Sequence, residues 1–290
     1  MNPKSFEYFA PSSLTEVFCL LEEHRDEAKI IAGGQSLLPI MKMRLFSPRY
    51  LIDLRNVSGL SYIREDELGV RVGAMTTHRV IEASPIVARN CQVLSEAARM
   101  IGDPLIRNRG TIGGSLCHAD PSADYPTIIL AMDGRLVVSG KDGERTVEAG
   151  QFFLDTFATA LKPTEVLTEV WLPKMVADST AVYERLSRGP GGFALVGVAV
   201  FLRMKGQRCE AVRVALSGVA PTPIRSKAAE DTLEGKPLSD ELIRTACKHA
   251  AEGLNPPSVV HASSEYQLAM VEVMMKRALQ RCRQRIESGR

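Results

Sequence analysis

Strand-like and helix-like apolar patterns alternate along the first half of the chain. Apolar runs at 28–32 and 50–54 predict strands, and Ser13 with Glu16 three residues later predicts a capped helix before the first run. We expect a small β-α-β unit, with a turn at the carboxyl end of its central strand, 28–32. Further apolar runs predict strands at 68–73, 136–139 and 165–171. Helical spacing predicts helices at 37–44, 77–81, 93–101 and 127–132.

The pattern changes near residues 174–178, where we place a domain boundary. Three strands are predicted beyond it, at 181–186, 193–204 and 209–218. Three helices are predicted to end the chain, at 227–233, 240–250 and 265–285. The last helix carries a methionine stripe that is typical of a core. Its basic residues predict a solvated face, with a partner-subunit contact as the alternative: Lys276, Arg277, Arg281, Arg283 and Arg285. The whole chain is therefore expected to be α+β.

Composition excludes several classes of function. The 290 residues are 45% apolar and 24% charged, with a net charge of +2, which gives no electrostatic reason for a nucleic-acid or membrane partner. Residues 1–6 lack a signal-peptide core and no apolar run approaches the ~20 residues of a membrane span, so we expect a cytoplasmic protein. The six cysteines are scattered without a Cys-x-x-Cys, which argues against zinc and iron–sulfur sites and predicts free, mostly buried thiols.

Two glycine pairs carry the chemical signal. Gly33-Gly34 follows the apolar run 28–32, and Gly113-Gly114 lies within 109–115. Glycine allows positive φ and close approach of a ligand, and successive N–H groups in such turns form a concavity for an anion. A single Gly-Gly is more often a plain tight turn, and neither pair fits the dinucleotide-binding or P-loop spacing. Two such turns predict one extended ligand, such as a dinucleotide pyrophosphate.

Three segments then point to a family. Residues 32–37 (Ala-Gly-Gly-Gln-Ser-Leu), 106–115 and the Asp120-Pro121-x-x-Asp124 motif occur in the order and separation of the FAD-binding medium subunit of the molybdenum hydroxylases. The chain resembles, over nearly its whole length, the carbon monoxide dehydrogenase medium subunit and the FAD domain of xanthine dehydrogenase.

The resemblance implies a fold and its domains. An FAD-binding domain at 1–177 is expected, with two α/β subdomains, 1–57 and 58–177, of the vanillyl-alcohol-oxidase and p-cresol-methylhydroxylase type. A carbon monoxide dehydrogenase flavoprotein C-terminal-like domain is expected at 178–290. It would pack a three-stranded antiparallel sheet on a helical bundle.

The resemblance also implies the FAD site. Asp124 would accept a hydrogen bond from the cofactor, Ile101 would lie against the isoalloxazine, and Leu167 falls where another member contacts FAD. Arg185 stands where relatives often carry lysine, and Gly192 where many carry aspartate. The two turns would wrap the pyrophosphate and reach toward the flavin through Ile31, Ala32, Gly33, Gly34, Gln35, Ser36, Leu37, Thr111, Ile112, Gly113, Gly114 and Ser115.

Each of these assignments has a structural alternative. Asp124 could be only a helix cap, and Ile101 only a core residue. Isolated histidines near turns, such as His78 and His118, are more often structural, and surface ion pairs are the ordinary role for Arg107 and Arg109.

The resemblance finally implies a role in a complex. Electrons would pass from a large molybdopterin subunit through 2Fe–2S clusters on a small subunit to this FAD, and then to an external acceptor. The chain would be active only in a heterotrimer, usually doubled, with no catalytic residue of its own and no metal. A stand-alone FAD-dependent oxidase and a non-enzymic nucleotide-binding scaffold are the alternatives.

Overall fold

A three-stranded parallel sheet organises the amino-terminal part of the chain. The computed structural model describes residues 2–288. Its first elements are β1 (Glu7–Phe9), α1 (Leu14–His24), β2 (Ala28–Ile31), α2 (Leu37–Lys42) and β3 (Tyr50–Asp53). Ser13 caps α1 as predicted, since its Oγ accepts the Glu16 N–H at 3.3 Å. The sheet order is β1-β3-β2, so β2 lies at an edge and the prediction of a central position is wrong. Strand pairing sets that order, and an apolar run does not encode it.

A five-stranded antiparallel sheet follows, in the order β4-β5-β10-β6-β7. Its strands, and a two-stranded ribbon formed by β8 and β9, are β4 (Ile63–Glu65), β5 (Gly69–Gly73), β6 (Arg135–Gly140), β7 (Gly143–Glu148), β8 (Phe153–Asp155), β9 (Ala158–Thr159) and β10 (Val166–Pro173).

Helices between and beside these strands build the largest core. They are α3 (His78–Ala83), α4 (Pro85–Asn90), α5 (Gln92–Met100), α6 (Pro104–Arg107), α7 (Ile112–His118), α8 (Asp124–Ala131) and α9 (Ala149–Phe152). Tyr125, Ile128 and Phe152 are fully buried in this core. The sequence patterns predict α3, α5 and α8, but they do not predict α4, α6, α7 or α9.

The carboxyl-terminal part is a second antiparallel sheet packed on helices. The three predicted strands are β11 (Ser179–Ser187), β12 (Ala194–Lys205) and β13 (Arg208–Ser217), and the short β14 (Ile224–Arg225) extends the edge. Three helices follow as predicted: α10 (Lys227–Leu233), α11 (Asp240–His249) and α12 (Ser264–Glu287).

Both faces of this sheet are covered. Tyr183 and Ala199 belong to the core that contains α8, whereas Val182 and Val198 pack in the core that contains α12. The methionine stripe is buried as expected, with Met275 inaccessible to solvent. Because side chains alternate along a strand, β11 connects the two cores.

The basic residues of α12 form ion pairs within the chain. Arg281 contacts Glu96 of α5 at 3.1 Å and Glu184 of β11 at 3.0 Å, and Arg285 also pairs with Glu96. Arg283 pairs with an aspartate of α11 at 2.8 Å. The prediction of a solvated face is wrong for Arg285, whose side chain is 12% exposed, whereas Arg281 and Arg283 remain 40% and 31% exposed.

The thiols are free, and four of the six are buried: Cys91, Cys209, Cys247 and Cys282. Across residues 2–288, no helix combines the length and apolar character that crossing a bilayer requires.

Candidate functional site

The two glycine turns lie against each other. A β-carbon added to Gly33 would lie 2.2 Å from the carbonyl oxygen of Arg109 and 2.7 Å from the α-carbon of Gly110. A β-carbon added to Gly114 would lie 3.4 Å from that of Ala32. Contacts this close leave no room for side chains at Gly33. The turns therefore form one continuous surface, although they are far apart in sequence.

The first turn presents a run of backbone donors. It joins β2 to α2, and within residues 2–288 the N–H groups of residues 32–36 donate to no protein acceptor. Gly34 adopts a φ of +73°, which favours glycine. The Gln35 side chain donates to the Gly33 carbonyl oxygen at 2.9 Å and braces the turn. Such a series of free amides is suited to bind an anion.

The second turn uses its amides internally. It is the first turn of α7, where Thr111 is the N-cap and its Oγ1 accepts the Gly114 N–H at 3.1 Å. The Gly113 N–H donates to the Ala74 carbonyl at 2.8 Å, and the Ser115 N–H donates to the Thr111 carbonyl at 3.0 Å. The expectation that both turns offer free N–H groups is therefore wrong for the second turn, because these groups donate to acceptors in Thr111 and Ala74. The second turn instead contributes backbone that packs directly against Gly33 of the first turn.

A buried ion pair lies at the start of α8. Arg185 Nη1 donates to both carboxylate oxygens of Asp124, at 3.0 and 2.9 Å, and the Tyr183 hydroxyl donates to Oδ1 at 2.8 Å. The side chains of Asp124 and Arg185 are only 7% and 6% exposed. Burial raises the pKa of Asp124, and the adjacent Arg185 charge opposes that rise.

The predicted cap role of Asp124 is wrong. Ala123 occupies the N-cap position of α8 with extended backbone, and Asp124 is the first helical residue. Its carboxylate binds the Tyr183 and Arg185 side chains of β11 rather than helix amides. The structure thus brings together two of the predicted site residues, Asp124 and Arg185.

Two arginines fix the segment that carries Ile101. Arg185 donates through Nη2 to the carbonyl at the end of α5, and Arg107 Nη1 donates to the carbonyls of Ile101 and Gly102 at 3.3 and 3.2 Å. A β-carbon added to Gly191 would lie 2.6 Å from the Gly102 carbonyl oxygen, so the 188–192 loop packs on this segment. Ile101 is partly buried against the large core.

Three other predicted site residues have buried side chains. Ile31, Ile112 and Leu167 are 6%, 0% and 3% exposed, so their side chains pack in the protein core. Leu167 lies at the start of β10, beside the residue whose carbonyl accepts the Ala74 N–H. These residues can offer a ligand their backbone atoms, or they can support the site by packing behind it. The more accessible predicted residues are Ala32, Gly33, Gly34, Gln35, Ser36, Leu37, Ile101, Gly114 and Ser115.

His78 supports the second turn from beneath. Its N–H donates to the Gly110 carbonyl at 2.9 Å, and its Nδ1 lies 3.2 Å from the Tyr125 hydroxyl. A β-carbon on Gly110 would lie 2.6 Å from His78 Nε2. Burial, with a smaller effect of the Arg107 charge, lowers the pKa of His78 to about 4. The predicted structural role of this histidine is confirmed.

The sequence argument did not single out Tyr183. The signal was present, because Tyr183 and Arg185 are two residues apart on a predicted strand and must share a face. Gly102 and Gly191, with φ values of +52° and +73°, were also not identified, since only their tertiary contact reveals their role.

Comparison with known proteins gives two family matches and close relatives. Residues 4–175 match the FAD binding domain in molybdopterin dehydrogenase, and residues 181–282 match the CO dehydrogenase flavoprotein C-terminal domain. The carbon monoxide dehydrogenase medium chain of Hydrogenophaga pseudoflava is 40% identical over 279 residues, covering 96% of this chain and 97% of that one. The 6-hydroxypseudooxynicotine dehydrogenase complex subunit alpha of Paenarthrobacter nicotinovorans is 37% identical over 280 residues, covering 96% and 95%.

A solved structure matches over the same extent. The carbon monoxide dehydrogenase from Hydrogenophaga pseudoflava that lacks the Mo-pyranopterin moiety of its molybdenum cofactor contains a chain that superposes with a TM-score of 0.96 at 41% identity. The match covers 98% of this chain and 99% of that one.

Proposed function

Because this chain belongs to the FAD-binding medium subunits of the molybdenum hydroxylases, we propose that it carries electrons within such a complex. The donors would be 2Fe–2S clusters of a small partner subunit, and the recipient an external acceptor. A large subunit would hold molybdopterin and the substrate. The electron exchange itself is the chemistry that FAD supplies when bound.

The observation that carries the proposal is the joined pair of turns. The free amides of residues 32–36 can donate to the pyrophosphate oxygens, and the missing side chain at Gly33 lets the second turn pack directly against the first. The residues present therefore fit a dinucleotide. Ser36 and Ser115 add partly accessible hydroxyl groups at the same turns, whereas the Thr111 hydroxyl is buried and caps α7.

The second part of the proposed site would bind the flavin end. We assign Ile101 to an apolar wall against the ring, and the Asp124–Arg185 pair to polar contacts with the cofactor. Leu167 would support this region from the layer behind the second turn. No side chain of this chain is required to act as a general acid or base, so its part is to bind and orient the cofactor.

The proposed partners follow from what the chain offers. In residues 2–288 no group of three or more His, Cys, Asp or Glu side chains could hold a metal ion. We place the clusters and the molybdenum cofactor on two other subunits, in a heterotrimer that pairs into a dimer. The six free thiols support a cytoplasmic location, where cysteines remain reduced.

Reconstitution tests this division of labour. The purified chain should bind FAD with a flavin absorption spectrum, and it should oxidise no hydroxylase substrate until the large and small subunits are added. Turnover of such a substrate by this chain with FAD alone would contradict the proposal. It would favour the alternative of a self-sufficient oxidase.

A further inference from the structure

The Asp124 carboxylate is held asymmetrically by its neighbours. Oδ1 accepts two hydrogen bonds, from the Tyr183 hydroxyl and from Arg185 Nη1, whereas within residues 2–288 Oδ2 accepts only the one from Arg185. A carboxylate oxygen accepts about two hydrogen bonds. Oδ1 is therefore saturated, and Oδ2 keeps the capacity to accept one more.

Tyr183 decides which oxygen is saturated. Arg185 bridges both oxygens through the same nitrogen, so it does not distinguish them. The tyrosine hydroxyl contacts Oδ1 alone and is buried, with 1% of the residue exposed. Without this contact, rotation of the carboxylate about its last side-chain bond would be limited only by the arginine.

The sheet makes room for this hydroxyl at one glycine. Gly197 of β12 pairs with Arg185 on one side and with Ser217 on the other. A β-carbon on Gly197 would lie 2.5 Å from the Tyr183 hydroxyl oxygen and 2.4 Å from the Ser217 Oγ. Any other residue here would displace the tyrosine hydroxyl from Asp124. Gly197 thus leaves the space that the Tyr183 hydroxyl needs to reach Asp124.

We infer that Tyr183 is a positioning residue that turns Oδ2 of Asp124 toward the bound flavin nucleotide, with Gly197 providing the space for its hydroxyl. The inference rests on the proposed function, since it assumes that Asp124 contacts FAD. Tyr183 contacts Asp124 and is itself buried, with 1% of the residue exposed. Its effect on binding must therefore pass through Asp124.

A double-mutant cycle on FAD affinity tests this. Tyr183→Phe keeps the ring and removes the donor, and we expect FAD to bind about tenfold more weakly, equivalent to about 1.4 kcal/mol. In the Asp124→Asn background the same change should alter affinity less than twofold. The visible absorption bands of the bound flavin should shift in Tyr183→Phe, and Gly197→Ala should reproduce that shift.

Two controls separate positioning from general destabilisation. Tyr62→Phe removes another tyrosine hydroxyl that donates to a partly buried carboxylate, that of Glu169 at 2.6 Å, and should leave FAD affinity and spectrum unchanged. Melting temperatures of the FAD-free variants show whether each one folds. If Asp124→Asn proves too unstable to titrate, the spectral shift shared by Tyr183→Phe and Gly197→Ala decides, and its absence overturns the positioning role.

The outcomes separate the two claims. A wild-type chain that binds no FAD overturns the proposed function and this inference together. A wild-type chain that binds FAD, with Tyr183→Phe equally harmful in both backgrounds or harmless in both, overturns only the positioning role of Tyr183.

Discussion

Gly33→Ala is the sharpest single perturbation of the proposed site. The three atoms nearest the new β-carbon would all be backbone atoms of the second turn: the Arg109 carbonyl oxygen at 2.2 Å, the Gly110 α-carbon at 2.7 Å and the Arg109 carbonyl carbon at 2.8 Å. Ordinary contacts between heavy atoms are about 3.5 Å or longer. The two turns must therefore separate by about 1 Å to accept a single methyl group, since no flexible side chain can move aside.

The expected cost falls on both stability and binding. Overpacking of this kind costs about 1–3 kcal/mol, so the urea midpoint of the FAD-free chain should fall. FAD affinity should fall by more than tenfold as well, because the free amides of the first turn no longer lie against the second turn. Equilibrium urea unfolding measures the first effect, and flavin fluorescence titration measures the second.

Gly189→Ala is the matched control for this substitution. Gly189 is in the glycine-rich loop near Ile101, its φ is not positive, and a β-carbon there would meet no atom within 4 Å. We expect its stability and FAD affinity to match the wild type. If Gly33→Ala bound FAD as tightly as this control, the argument that the contact between the turns builds the site would be refuted.

Two further predictions concern groups that support the site. The pKa of His78 is about 4 in the folded chain against an ordinary 6.5, so between these values the unfolded chain binds a proton that the folded chain does not. The free energy of unfolding should therefore be highest above pH 6.5, and this group alone should lower it by about 2 kcal/mol at pH 5. Urea unfolding at several pH values should no longer show this loss for His78→Gln. Arg285→Ala removes the contact of α12 with Glu96, and because Arg285 is only 12% exposed it should lower the free energy of unfolding in urea by about 1–3 kcal/mol. Arg277→Ala, at an exposed position of the same helix, should change that free energy by less than about 0.5 kcal/mol. Equal effects of the two arginine variants would contradict the assignment of Arg285 to an ion pair that fastens the helix.

Local patterns predicted most of the regular structure. Helix α10 begins and ends where the apolar spacing places it, and the three long strands of the carboxyl-terminal sheet lie where alternation predicts them. These elements bury one well-defined face each, so their sequence periodicity is strong.

Short helices with poor intrinsic propensity were not predictable in this way. Helix α7 contains Gly113 and Gly114 in its first turn, and glycine has a low intrinsic helix propensity. Tertiary contacts override that preference, since Gly113 packs so tightly that a β-carbon would lie 2.6 Å from that of Ala74. The segment therefore appears in the sequence as a loop, although it is the capped start of a helix.

The candidate site was predictable in its turns and not in its pairings. The glycine pairs mark Gly33 and Gly113 as places where the backbone is approached closely, and the structure brings their turns into contact. The partners of Asp124 lie on β11, far along the chain, and no local pattern reveals them. Nor could the sequence show which N–H groups of the two turns are free, because that depends on acceptors such as the Ala74 carbonyl, which lie elsewhere in the fold.

A structure of the full chain with FAD bound tests the central claim most directly. The account predicts the pyrophosphate oxygens within hydrogen-bonding distance of the amides of residues 32–36, with the second glycine turn in contact on the other side. A pyrophosphate bound elsewhere, with those amides left to solvent, would contradict it.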